Sequence, residues 1–206
     1  MSEYKKIISV NLWHHFKLPF LSAIGIFLLT PLLFNITSLQ GKDVARPFEF
    51  LLSFLGVALL APVFMPEQNQ DIRDVVCARK INHLQVCVVR VCYSTVTLLL
   101  LITAFAGLML WRESTVTFMH YLAGVGSAML LGSVGLAAAG ASDNATIGYM
   151  TAMLFYLANF GLKKKLGHFF LFAMSTGDDE SAVWKLAGAG ILIAGTFLWL
   201  HFRQKR

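Results

Sequence analysis

The residues best equipped for chemistry sit together in the stretch 65–91, MPEQNQDIRDVVCARKINHLQVCVVRV. Glu67, Asp71, Arg73, Asp74, Arg79, Lys80 and Arg90 stand there between two long apolar runs, with Gln68 beside the first of them. Their types and spacing suit docking more than catalysis. Asp71 is placed to cap a helix running into residues 72–80. On that helix Ile72, Val75, Val76 and Ala78 form an apolar stripe, while Arg73, Asp74, Arg79 and Lys80 form a charged face. A short helix of this kind, about 68–80, can seat its stripe in a partner's pocket and make salt bridges around the rim. The plainer alternative is a solvated connection whose basic residues act only as topology signals.

Catalytic groupings are missing elsewhere. The glycine-rich run 124–135, GVGSAMLLGSVG, has no lysine and lies inside an apolar segment, so it is no phosphate loop. Neither an HExxH zinc motif nor a GxSxG nucleophile elbow occurs. Ser127 and Ser133, set among glycines, read as packing residues. The histidines are scattered, mostly near the ends of apolar runs. Cys77, Cys87 and Cys92 are an odd number with neither a disulfide framework nor metal-ligand spacing. Within the apolar runs the notable polar residues are Asn35 and Asn159, the two candidates for lining a permeation path. Glu49 falls near the edge of a run and reads as reaching the interface. So few internal ionisable groups argue against an ion-coupled carrier and against an intramembrane enzyme acting on lipids.

These residues have to be positioned by membrane helices. Of 206 residues, 57% are hydrophobic and 14% charged, and the mean hydropathy is +0.67. Soluble domains carry about 25% charged residues, and the runs here are long enough for a bilayer. The net charge of +6 belongs to lysines and arginines at span ends, so nucleic acid is not an expected partner. The start of the chain does not read as a cleaved signal peptide.

Along the chain, residues 2–18 read as an amphipathic helix on the membrane surface, with Lys5, Lys6, Trp13 and Lys17 among its interfacial residues. Pro19 is expected to break it. Six spans follow, at 20–39, 48–64, 89–111, 121–141, 147–162 and 184–202. The fourth is rich in small residues and is expected at the centre of the bundle. Gly188 and Gly195 suggest a packing stripe on the sixth. The patch 166–174, LGHFFLFAM, is too short to span and suits a re-entrant or interfacial element. Both termini and the loop 65–91 then share one side, the cytoplasm by the distribution of Lys and Arg. Lys163 to Lys165 fall on the other side, against that rule, unless the hairpin at 141–147 does not cross.

The arrangement resembles the membrane subunit of type-2 ABC exporters. The resemblance rests on the amphipathic segment 2–18, the loop from Pro66-Glu67-Gln68 into Asp71-Ile72-Arg73-Asp74, the pair Arg79-Lys80, Arg90 at the start of the third span, and the patch before the sixth. It covers almost the whole chain as architecture and only about 65–90 as a motif. It implies that about 68–80 is a coupling helix docking into a dimeric ATPase and that 2–18 is an interface helix. It further implies a second permease chain, identical or related, ATP and Mg bound by the partner ATPase only, no cofactor in this chain, and a multi-pass location in a cell membrane, bacterial by analogy. The alternative is a non-transporting accessory or immunity protein that holds a partner by the same loop.

Overall fold

The computed structural model describes residues 16–68, 83–178 and 180–204. The expected interface helix, apart from residues 16–18, and the expected coupling helix, apart from Gln68, lie outside them. With them go Lys5, Lys6, Trp13, Asp71, Ile72, Arg73, Asp74, Val75, Arg79 and Lys80.

Among the described residues every regular element is helical. In order these are α1 (Lys17–Leu33), a 3-10 turn (Gly41–Val44), α2 (Ala45–Phe50), α3 (Ser53–Leu60) and a 3-10 stretch (Ala61–Gln68). Then come α4 (His83–Trp111), α5 (Phe118–Ser142), α6 (Ala145–Leu162), a second 3-10 stretch (Lys163–Phe169), α7 (Ala173–Thr176) and α8 (Ser181–Gln204). Five segments are long and apolar enough to cross a membrane: Gly41–Met65, Val86–Trp111, Phe118–Ser142, Ala145–Leu162 and Ser181–Arg203. The chain is an all-helical, multi-pass membrane protein.

The first expected span differs most from expectation. Its helix starts at Lys17, not at 20, so Lys17 begins α1 instead of lying on the surface helix. Pro19 falls in the first turn, where a missing N–H breaks no helical bond. The helix ends at Leu33, giving about 26 Å at 1.5 Å per residue, less than the roughly 30 Å hydrocarbon core. The second run starts at Gly41 and is interrupted between α2 and α3. Tyr156 Oη (3.0 Å) and Ser53 Oγ (3.2 Å) donate to the Phe50 carbonyl at the break. The third starts at His83, so Arg90 lies about two turns inside α4 instead of opening it. Arg90 is buried and donates to the Val63 carbonyl at 3.1 Å.

Side-chain contacts give the helix directions. Phe16 meets Tyr93 and Phe27 meets Phe105, so α1 and α4 are parallel. Gly124 lies against Phe48, Gly132 against Gly56 and Gly140 against Phe64, so the second run is parallel to α5. Gly135 lies against Gly148 and Ala152, which makes α5 and α6 an antiparallel hairpin, while Gly126 against Ala182 and Gly140 against Thr196 make α8 parallel to α5. One end of the bundle therefore holds residues 36–41, 112–117 and 176–181. Backbone bonds from Ser38 to Arg112 and from Thr115 to Leu39, with Ser114 Oγ donating to Ile36, tie it together. The other end holds Phe16, Met65, Asp143 and Arg203, the last two an ion pair at 2.7 Å. Helices α5 and α6 run the length of the bundle in opposite directions, so Lys163 to Lys165 follow α6 on the end opposite Arg203.

Helix α5 is central, as its small residues imply. A Cβ on Gly56 would overlap the Ala128 carbonyl, and one on Gly132 would lie 2.6 Å from the Gly56 oxygen. The helices touch backbone to backbone. In α8 only Gly188 packs, against the Phe169 ring; Gly195 has open space beside it and forms no stripe with Gly188.

Two outcomes follow. Gly56→Ala should destabilise the detergent-solubilised protein by about 1–3 kcal/mol, read as a lower thermal unfolding midpoint. Gly107→Ala, with nothing near its Cβ, should leave the midpoint nearly unchanged. In sealed vesicles, Glu113→Cys and Lys164→Cys should react with an impermeant maleimide from one side, and Asp143→Cys from the other.

Candidate functional site

Of the predicted site residues, Lys17, Asn35, Glu67, Gln68 and Asn159 are described. Glu67 and Gln68 are in the 3-10 stretch that ends the second run. Asn35 is exposed beyond the end of α1, where its Oδ1 accepts from the Thr37 N–H at 3.2 Å. Asn159 is fully buried in α6. The two asparagines share no hydrogen-bond partner.

The structure assembles another polar centre instead. Glu49 in α2 and Lys185 in α8 are both fully buried, and Lys185 Nζ lies 2.9 Å from Glu49 Oε1. Glu49 therefore does not reach the interface, as its place near the edge of an apolar run suggests. Its side chain turns inward because α8 presents a cation at the same depth. Lys185 sits about one turn inside α8. It lies in a run whose mean hydropathy hides a single charge, so sequence gives little sign of it. One sign is available: an internal lysine and an internal glutamate in a chain short of charge are each costly alone and compatible as a pair.

Both charges are saturated with hydrogen bonds. Lys185 donates to Glu49 Oε1 (2.9 Å), Ser127 Oγ (3.0 Å) and the Leu171 carbonyl (2.7 Å), which uses every proton of an ammonium group. Glu49 Oε1 also accepts from the Met174 N–H at 3.1 Å. Its Oε2 accepts from the Ser175 N–H at 2.9 Å and Ser175 Oγ at 2.6 Å. The carboxylate thus caps α7, satisfying N–H groups that a helix start leaves open. Ser127, expected to be a packing residue, donates at 2.9 Å to the same Leu171 carbonyl.

Asn159 completes the arrangement. Its Oδ1 accepts from the Leu171 N–H at 2.9 Å, and its Nδ2 donates to the Phe155 carbonyl at 2.7 Å. Residues 170–172 are not helical, and side chains from α5, α6 and α8 take up both backbone groups of Leu171. This is how irregular backbone survives at membrane depth: it is buried in protein and satisfied there. The second half of the expected re-entrant patch is a buried turn, with Phe170 to Met174 all in the core, while Gly167 to Phe169 are exposed. Phe172 stacks on Phe50 at 4.3 Å and meets Tyr156 edge-on at 5.4 Å.

No family model matches this chain, and neither the curated proteins nor the solved structures hold a match. The geometry is thus the ground for any functional reading. Among the described residues no cluster of His, Cys, Asp or Glu could hold a metal. The Glu49–Lys185 centre is closed and fully bonded, so its chemistry is structural: it fastens the turn before α8 to three other elements. A separate groove of about 570 Å³, lined by Leu18, Ile26, Leu51, Phe54, Pro62 and Tyr149 among others, is almost wholly apolar.

Removing one partner of a buried ion pair strands the other charge. Lys185→Met or Glu49→Gln alone should cost about 3–5 kcal/mol. The double variant should cost clearly less than the sum of the two. Unfolding midpoints of the four proteins in one detergent give the coupling directly.

Proposed function

We propose that the chain is the permease subunit of an ATP-driven ABC exporter and that a separate ATPase moves it through the loop 65–91. The observation that carries this reading is where the helices leave the charged stretch. Met65 closes the second run at the same end of the bundle as Phe16 and Arg203, and α4 runs from that end to the other. Met65 and the start of α4, which flank the charged residues 69–82 in sequence, lie at the end that also carries the two described termini. A soluble motor docked at that end would touch the loop, the beginning of α1 and the tail together.

On this reading Glu67, Gln68, Asp71, Ile72, Arg73, Asp74, Val75, Arg79 and Lys80 meet the ATPase. Lys5, Lys6, Trp13 and Lys17 lie at the inner surface beside it. ATP and Mg bind in the ATPase dimer, and this chain has no nucleotide site of its own. A second permease chain, identical or related, completes the path. The end with Arg203 faces the cytoplasm of a bacterial cell. On this reading α1 is the first of six crossings and the turn at 163–178 precedes the last.

The second reading, a non-transporting accessory or immunity protein, draws support from the closed polar centre, which holds the bundle together and offers nothing to a cargo. The two readings differ in one measurement. In proteoliposomes with its ATPase, the permease should alter the rate of ATP hydrolysis. Replacing Asp71, Arg73 and Asp74 together by alanine should abolish that effect, at least about tenfold weaker docking being expected when rim charges and cap are lost together. An unchanged rate and unchanged co-purification would sink the coupling assignment.

A further inference from the structure

The buried turn before α8 is attached in an unusual way. Apart from local bonds within the turn, such as Phe170 N–H to the Gly167 carbonyl and Asp178 N–H to the Ala173 carbonyl, its backbone is held by side chains of other elements. Leu171 is bonded by Asn159, Ser127 and Lys185, and Met174 and Ser175 by Glu49. No backbone hydrogen bond inside a spanning helix has to break for the turn to move. Glycines bracket it. Gly167 has φ +54° and ψ −130°, and Gly177 has φ +97° and ψ 23°, backbone settings that L residues rarely adopt.

The surroundings decide which forces hold such an element. In water, exposing Phe170, Leu171, Phe172 and Met174 would be opposed by the hydrophobic effect. In a bilayer the lipid tails are as apolar as the core, so that driving force is absent and only packing is lost. Unbonded backbone groups, by contrast, are costly in hydrocarbon. The outer part of the turn is polar, with Ser175, Thr176, Asp178 and Glu180 in sequence, and Thr176 and Glu180 are exposed at the end of the bundle. A released turn would bring its polar outer part and freed backbone to interfacial water there, with its phenylalanine rings still against lipid.

We propose that residues 168–176 form a releasable strap, hinged at Gly167 and Gly177 and held in the bundle by the polar bonds of Glu49, Lys185, Ser127 and Asn159, not by its apolar packing. The strap is thus a local unit that opens while the helices stay assembled. The inference stands apart from the transport reading, since it concerns only how this turn is fastened.

Thiol labelling tests it in the full chain, in membranes, with Cys77, Cys87 and Cys92 replaced by serine. Met174→Cys reports on the strap and Leu131→Cys, buried in α5, on the bundle. With the latch intact both should resist an impermeant maleimide. Glu49→Ala should speed labelling at Met174→Cys by about tenfold or more and leave Leu131→Cys protected. Phe172→Leu, which trims packing and keeps every polar bond, should speed it far less. Where Glu49→Ala does not accumulate, Ser127→Ala, which removes one bond to Leu171, should give a smaller acceleration confined to the same reporter. The proposal is overturned if Phe172→Leu accelerates labelling as much as the latch variants do. It is equally overturned if the latch variants leave Met174→Cys protected, or if Leu131→Cys becomes reactive in step.

Discussion

Leu171 has no helical partner for its N–H or its carbonyl, yet it lies in the core of a membrane bundle. Water is not available there to take those groups, so protein must. Asn159 from α6, Ser127 from α5 and Lys185 from α8 do so, and Lys185 requires Glu49 from α2 as its counter-charge. One stretch of irregular backbone thereby fixes the relative positions of four elements. Glu49 then caps the short helix that follows, so the same carboxylate neutralises the lysine and closes the turn. The charge pair is tolerated because each of its hydrogen-bonding positions is filled; a pair less well bonded would lose more in desolvation than it gained in attraction.

Packing around this centre follows a different rule. With no hydrophobic force between helices in lipid, close approach of backbones supplies much of the cohesion. Helix α5 provides it. Gly132 faces Gly56 backbone to backbone, Gly135 faces Gly148, and Gly126 faces the first turn of α8. That approach brings Ser127 within reach of Lys185, so the small residues and the polar centre support each other. The outer faces of α6 and α8 carry large apolar side chains such as Met150, Leu154, Leu157, Ile191 and Leu198, exposed as lipid-facing residues should be.

The transport reading and the polar centre occupy opposite ends of the molecule. The second run ends at Met65 at one end, whereas Glu49 and Lys185 sit toward the end that holds residues 112–117. Helices α3 and α4 both pack on α5, and α5 carries Ser127.

The class of the protein and the central helix are legible in the amino-acid sequence. Apolar runs longer than about 20 residues with few charges have no stable place in water, and the run of small residues at 124–140 marks a helix others must approach closely. The patch at 166–174 is also legible as non-spanning, because it is apolar, short and bracketed by charge. Tertiary structure alone decided what the isolated polar residues do. Asn159 reads as a path residue and holds a backbone N–H; Ser127 reads as filler and is part of the latch; Glu49 reads as interfacial and is in the core. Lys185 carries no sequence signal beyond being a charge in an apolar run. The physical reason is that helical periodicity reports one helix's own faces. Whether a charge at a given depth is paired depends on a second helix 136 residues away along the chain, and no local pattern encodes that distance.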